Sequence, residues 1–83
     1  MEPEERAKKD IEKLERIIAF LKHEGLDSQY SEVMGFIENY YSDAKHFYSQ
    51  GDHFTAFGAA NYAYGFADAI LVIEGKKDEQ TVF

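Results

Sequence analysis

The sequence predicts an all-α fold, an up-and-down antiparallel bundle of three helices over residues of about 3–24, 28–50 and 53–74. Three observations lead there. Apolar residues recur at three- and four-residue spacing along nearly the whole chain, and period-two alternation is absent. Gly25, Gly51 and Gly75 stand where those runs end. The segments between runs are only a few residues long, so successive helices must double back beside one another.

Helix 1 begins at Pro3, whose fixed φ suits a first helical position, and Glu4 and Glu5 complement the positive end of the helix dipole. Ala7, Ile11, Leu14, Ile18 and Leu21 form its seam, with Ile17 beside them and Phe20 at the edge. The opposite face pairs Glu4 with Lys8, Glu5 with Lys9 and Glu12 with Arg16. Each pair is worth only ~0.2–0.5 kcal/mol, so this is a solvated face. Gly25 ends the helix and lets Leu26 fold back on Leu21 as in a Schellman turn, after which Asp27 or Ser28 is expected to cap helix 2.

Helix 2 carries Tyr30, Val33, Ile37, Tyr40, Ala44 and Phe47 on its seam, flanked by Met34, Tyr41 and Tyr48. The tyrosines bury their rings while the hydroxyls reach the rim. Gly51 stops the helix and Asp52 caps the next at once, which makes a tight antiparallel hairpin.

Helix 3 is the element that the others must cover. Between Phe54 and Ile73 only Thr55, Asn61 and Asp68 interrupt apolar or small residues. One row, Ala56, Ala59, Ala63, Phe66, Ile70 and Ile73, and a second, Gly58, Tyr62, Gly65, Ala69 and Val72, are expected to face the two neighbouring helices. The third row, Phe57, Asn61, Tyr64, Asp68 and Leu71, is then left outside. Aromatic and aliphatic side chains at heptad spacing on an outer stripe suit a protein interface. Gly58 and Gly65 read first as places where another helix of this chain approaches, and second as a contact between chains. The whole of 1–83 forms one domain, with 76–83 a frayed tail from which Val82 and Phe83 could dock on the bundle.

Composition narrows the function. The net charge is -7, and residues 28–75 carry six acids against the single base Lys45. Nucleic acid needs gathered Lys and Arg, and an anionic membrane surface needs the same, so neither partner is expected. There is no Cys, which removes disulfides, thiolate metal sites and cysteine nucleophiles. A reducing cytoplasm is compatible with that lack. Charges begin at the second residue with no apolar segment behind them, so no signal peptide is expected. Helix 3 is long enough to span a bilayer, yet an Asp in mid-segment costs ~2.5–3.5 kcal/mol on insertion, and amphipathic helices 1 and 2 need it as their partner.

Chemistry is sparse. Asp43 and His46 lie three apart on helix 2, the spacing of the acid-x-x-His element in carboxylate-bridged metal bundles. Such sites carry the element twice with further carboxylates, all facing inward, whereas here it appears once and on the outer side of the seam, so a solvated or locally hydrogen-bonded pair is expected, with no metal and no cofactor. His23 and His53 lie near helix ends, where dipole or cap contacts account for them. No nucleophile context and no glycine-rich phosphate loop occur. The expected function is a non-catalytic interaction or accessory module, self-associating through helix 3 or meeting another protein. The alternative is a small ligand- or metal-binding domain or enzyme, with Asp43, His46, Asn61, Asp68 and Tyr40 lining a groove between helices 2 and 3.

Two resemblances accompany this reading. Tyr40, Ala44 and Phe47, then Gly51-Asp52, then Ala56, Ala60 and Ala63 resemble one tetratricopeptide unit in spacing, although Asp68 stands where that repeat closes on proline and no second copy exists. Residues 40–69 more closely resemble a family of short archaeal proteins, domain-of-unknown-function family three-five-seven. The likeness rests on Tyr-Tyr-Ser-Asp-Ala-Lys-His-Phe, the Gly-Asp turn, and Asn-Tyr-Ala-Tyr-Gly-Phe-Ala-Asp-Ala. This chain has His53 where that family leads one to expect a tyrosine, and Phe66 in place of a tryptophan. The resemblance implies an archaeal cytoplasmic protein with a three-helix bundle, and it implies no activity or catalytic residues.

Overall fold

The computed structural model describes residues 1–77. Among them there is no strand. The elements are α1 (Pro3–His23), α2 (Leu26–Gln29), α3 (Ser31–Ser49) and α4 (His53–Ile73). The fold is therefore all-α, with four helices where the sequence suggested three. The additional one is a single turn, split from the expected second helix at Tyr30, whose φ of -118° and ψ of 47° leave the helical region.

The α1–α2 junction explains the split. Gly25 sits at φ 74° and starts α2 without any side-chain cap, and Tyr30 opens α3 likewise, so neither Asp27 nor Ser28 caps a helix as expected. Leu26 is buried in the core cluster with Leu21, as a chain folding back after a Schellman turn requires. Closing one turn around Leu26 hides that side chain at the cost of a break at Tyr30. The second junction follows expectation: Gly51 is left-handed at φ 82°, and the Asp52 carboxylate accepts a hydrogen bond from the Thr55 amide at 3.1 Å. Hydrogen bonds from the Thr55 side chain and amide hold the Asp52 carboxyl below its ordinary range.

α4 packs against both α1 and α3, which touch each other less. Its buried residues are Ala56, Ala60, Ala63, Ala67, Ile70 and Leu71. Four alanines stepping by four, three and four let two helix backbones come close. Opposite the alanines the large side chains come from the neighbours, Leu14, Ile17 and Leu21 of α1 and Ile37 of α3, while Ile70 and Leu71 add bulk from the C-terminal end of α4. Every member of the expected α1 seam is buried except Ile11, which is partly so.

Side-chain pairs fix the register. Asp10 meets Asn61 at 2.9 Å, and the Arg6 guanidinium and the Lys13 ammonium lie over the Phe57 and Tyr64 rings at 5.4 and 5.1 Å. Residue numbers thus rise together along α1 and α4. Between α3 and α4 they run oppositely: Phe36 stacks on Phe66, the Tyr40 ring lies tilted 4.6 Å from that of Tyr62, and Tyr48 lies 5.0 Å from the His53 ring. The Tyr41 hydroxyl donates to Glu15 at 2.5 Å and Lys22 pairs with Glu38 at 3.1 Å, tying α1 to α3 in opposite senses. Past α4, Lys76 bonds through its amide to the Leu71 carbonyl at 2.8 Å and through its ammonium to Glu24 at 3.0 Å, and Lys77 pairs with Asp68. These two residues are tied down. The rest of the tail expectation, including Val82 and Phe83, lies outside the described residues.

Candidate functional site

The stripe expected on the outside of the third long helix divides on inspection. Asn61 is exposed, Phe57, Tyr64 and Asp68 are half-buried, and Leu71 is fully buried. The stripe is roofed by charge. Arg6 lies over Phe57, Lys13 and Lys77 lie over Tyr64, Asn61 donates to Asp10 and to the Phe57 carbonyl, and Lys77 engages Asp68. Long cationic side chains cover aromatic faces with their stems and keep their heads wet. The Asp68 hydrogen bond pushes the Lys77 ammonium above its ordinary range. Leu71 belongs to the core, and the row it was assigned to is the flank of α4 that α1 covers.

The bare side is the row carrying Gly58, Tyr62, Gly65, Ala69 and Val72, which the sequence reading placed against a neighbour. These five are all exposed. With Phe54 and Ile73 they span one arc, diametrically opposite the alanine stripe. Exposure here is large for such side chains: Phe54 84%, Ile73 68%, Val72 61%, Tyr62 56%. α3 extends the same apolar surface with Phe36, 51% exposed, and four rings run across the two helices in the order Phe36, Phe66, Tyr62, Tyr40, with neighbouring centroids 4.6 to 5.9 Å apart.

Among the described residues nothing packs on the glycines of this face. A Cβ added at Gly58 or Gly65 would meet nothing within 4 Å. Close packing inside the chain, the first reading of their seven-residue spacing, is thereby overturned. Each costs a helix interior about 1 kcal/mol relative to alanine with no return from the described neighbours.

Two open grooves mark the face. One, about 430 Å³, is lined by Tyr40, Asp43, Phe47, Phe54, Thr55, Gly58, Ala59 and Tyr62, and a second of similar size by Asn61, Tyr62, Gly65, Phe66 and Ala69. Asp43 and Tyr40 thus share a groove, whereas His46 does not line it, and its ring lies 5.5 Å from that of Phe47. Asn61 and Asp68 are engaged by Asp10 and Lys77, on the flank away from Asp43. The structure therefore does not gather the five polar residues of the ligand-site reading. No group of three or more metal-capable side chains occurs among the described residues. α4 is long and apolar enough to cross a bilayer, and here its alanine stripe is packed against α1 and α3.

Two tyrosines seal the covered side. The Tyr30 hydroxyl donates to Glu74, and that bond, with partial desolvation, pushes its pKa up. Burial first, and then the Glu15 hydrogen bond, push Tyr41 up to about 12.

These features define a small helical protein with one aromatic, uncharged helix face left bare and no assembled catalytic cluster among the described residues. Its sequence matches, over residues 4–75, the family described as "Protein of unknown function (DUF357)", and the chain belongs to that family. Comparison with curated proteins and with solved structures gave no match.

Proposed function

We propose that the protein is a non-catalytic protein–protein interaction or accessory module of the archaeal cytoplasm, built as an up-and-down three-helix bundle of α1, α3 and α4 in which α2 is part of the first turn. The register of side-chain pairs supports that architecture. One observation carries the functional reading: the apolar arc of Phe54, Tyr62, Val72 and Ile73, continued by Phe36. Monomeric soluble proteins rarely leave a larger continuous patch without a use. The interface is accordingly assigned to the Tyr62 side of α4 rather than to the flank of Phe57, Tyr64 and Leu71.

The test is the size of the tagged full-length chain in an extract of its native host. Migration above the free chain, lost in Tyr62→Glu and kept in a Glu12→Gln control on the solvated face of α1, is the expected outcome. Migration of the unmodified protein as a free 9.6 kDa chain defeats the proposal.

A second reading draws support from the first groove, where Asp43 is the one carboxylate among four aromatic side chains. A small ligand held there would raise the melting temperature, and the rise would vanish in Asp43→Asn. A screen with no thermal shift removes this reading.

A further inference from the structure

The partner of this face can be specified further. We infer that the outer face of α4 pairs with the same face of a second copy, the two α4 helices lying antiparallel about a two-fold axis that passes between positions 63 and 64. The inference rests on the interaction-module reading and names its occupant.

Three observations point to a second copy. The first is area. The exposed parts of Phe36, Phe54, Tyr62, Val72 and Ile73 amount to roughly 600 Å² of apolar surface, and the glycines and Ala69 between them add more. A stable two-fold interface needs about 800 Å² from each partner, so one such face laid on another supplies most of the required size.

Self-complementarity is the second. In a two-fold contact residue i meets j and j meets i, so a usable face must hold both its own knobs and its own notches. With the axis at the midpoint of Phe54 to Ile73, Tyr62 falls opposite Gly65 of the other copy and Gly58 opposite Ala69. The ring meets a notch beside the axis, two small positions meet one turn further out on either side, and Phe54 and Ile73 close the two ends. Parallel pairing would instead set Tyr62 on Tyr62 and Gly65 on Gly65. Antiparallel helices also bring opposite dipole ends together.

Charge is the third. Within α4 no charged side chain lies on the arc from Phe54 to Ile73, and Asp68 is held on the flank by Lys77. Asp43 of α3 is the one carboxylate lining the grooves of this face. A partner chosen by ion pairs would find little to engage, whereas a nearly uncharged face suits an equally uncharged one. Gly58 and Gly65, which no described residue approaches, gain a function as the notches of this contact.

The experiment uses the full chain. At tens of micromolar, light scattering should give twice the 9.6 kDa chain mass, and Gly65→Leu should halve it while leaving the helical circular dichroism intact, because a Cβ at position 65 meets nothing within 4 Å among the described residues. The absence of native cysteine permits a register test. An oxidised mixture of Gly58→Cys and Ala69→Cys should form a mixed disulfide dimer, and Gly58→Cys alone should not. A monomer at that concentration overturns the pairing. Cross-linking of Gly58→Cys to itself overturns the antiparallel register. A pure monomer that still migrates as a larger species in host extract defeats only this inference, whereas a free chain in both defeats the module reading with it.

Discussion

The inner face of α4 presents Ala56, Ala60, Ala63 and Ala67 to α1 and α3, whereas its outer face carries Phe54, Tyr62, Val72 and Ile73 into solvent. Both faces are apolar, so hydrophobicity alone does not separate them. From Ala56 to Ala67 the buried side is small, which lets two helices approach α4 closely, and the bulk opposite those alanines comes from Leu14, Ile17, Leu21 and Ile37. Nearer its C-terminus α4 supplies bulk of its own, where Ile70 and Leu71 are buried.

The comparison is tested most sharply at its two adjacent large aliphatics. Leu71 is fully buried and Val72 is 61% exposed, although they are neighbours in sequence. Leu71→Ala should cost about 2–5 kcal/mol, from lost transfer energy and the cavity left behind. Val72→Ala should stay within about 0.5 kcal/mol, measured by urea denaturation at a concentration low enough to hold the chain monomeric. Equal effects would mean that the two faces are not distinguished in solution.

A smaller contrast lies at the small residues. Gly65→Ala places a methyl in open space and adds helix propensity, so it should stabilise the dilute monomer by about 0.5–1 kcal/mol. Ala63→Gly, two positions away on the buried stripe, should destabilise it by about 1 kcal/mol or more through propensity and lost packing. The opposite signs, read from denaturant midpoints, are the expectation. A destabilising Gly65→Ala in the monomer would place that face against something within the chain.

Legibility in the sequence followed the strength of the hydrophobic contrast. α1 alternates apolar and charged faces, and its seam of Ala7, Leu14, Ile18 and Leu21 with Ile17 was readable, Ile11 alone being only partly buried. α3 was readable except at its start, where Asp27 and Ser28 resembled a cap but the chain instead closed a turn around Leu26 and broke at Tyr30. α4 was readable as a helix but not in its rotation. The buried face lies about one residue's turn, ~100°, from the one expected. With almost every position apolar, periodicity carries no phase, and Gly58 and Gly65 drew the reading toward themselves as contact points. The correct signal was present in the spacing of Ala56, Ala60 and Ala63 that resembles a tetratricopeptide hairpin. Missing was the recognition that α1 would roof Phe57 and Tyr64 with Arg6 and Lys13, since cation–ring contacts between helices depend on register.

The smallest effect concerns the rim that makes the covered side covered. Tyr41 joins α3 to α1 by donating to Glu15 at 2.5 Å, and its pKa is pushed up to about 12, burial contributing most and the Glu15 bond next. An unfolded chain loses that phenolic proton near pH 10, well before the folded one does. The contribution is therefore complete below about pH 10 and is lost as pH rises toward 12, because there the unfolded state releases a proton that the folded state retains. At neutral pH Tyr41→Phe should cost less than about 1 kcal/mol, since the bond is exposed and one hydrogen bond is worth little net. In alkali the difference between the two proteins should shrink, with the wild type losing melting temperature more steeply than Tyr41→Phe over the same interval. Parallel pH profiles for the two would mean that the Glu15–Tyr41 contact contributes nothing to closing α1 against α3, and that the covered side is held by its alanine stripe and the aliphatics around it alone.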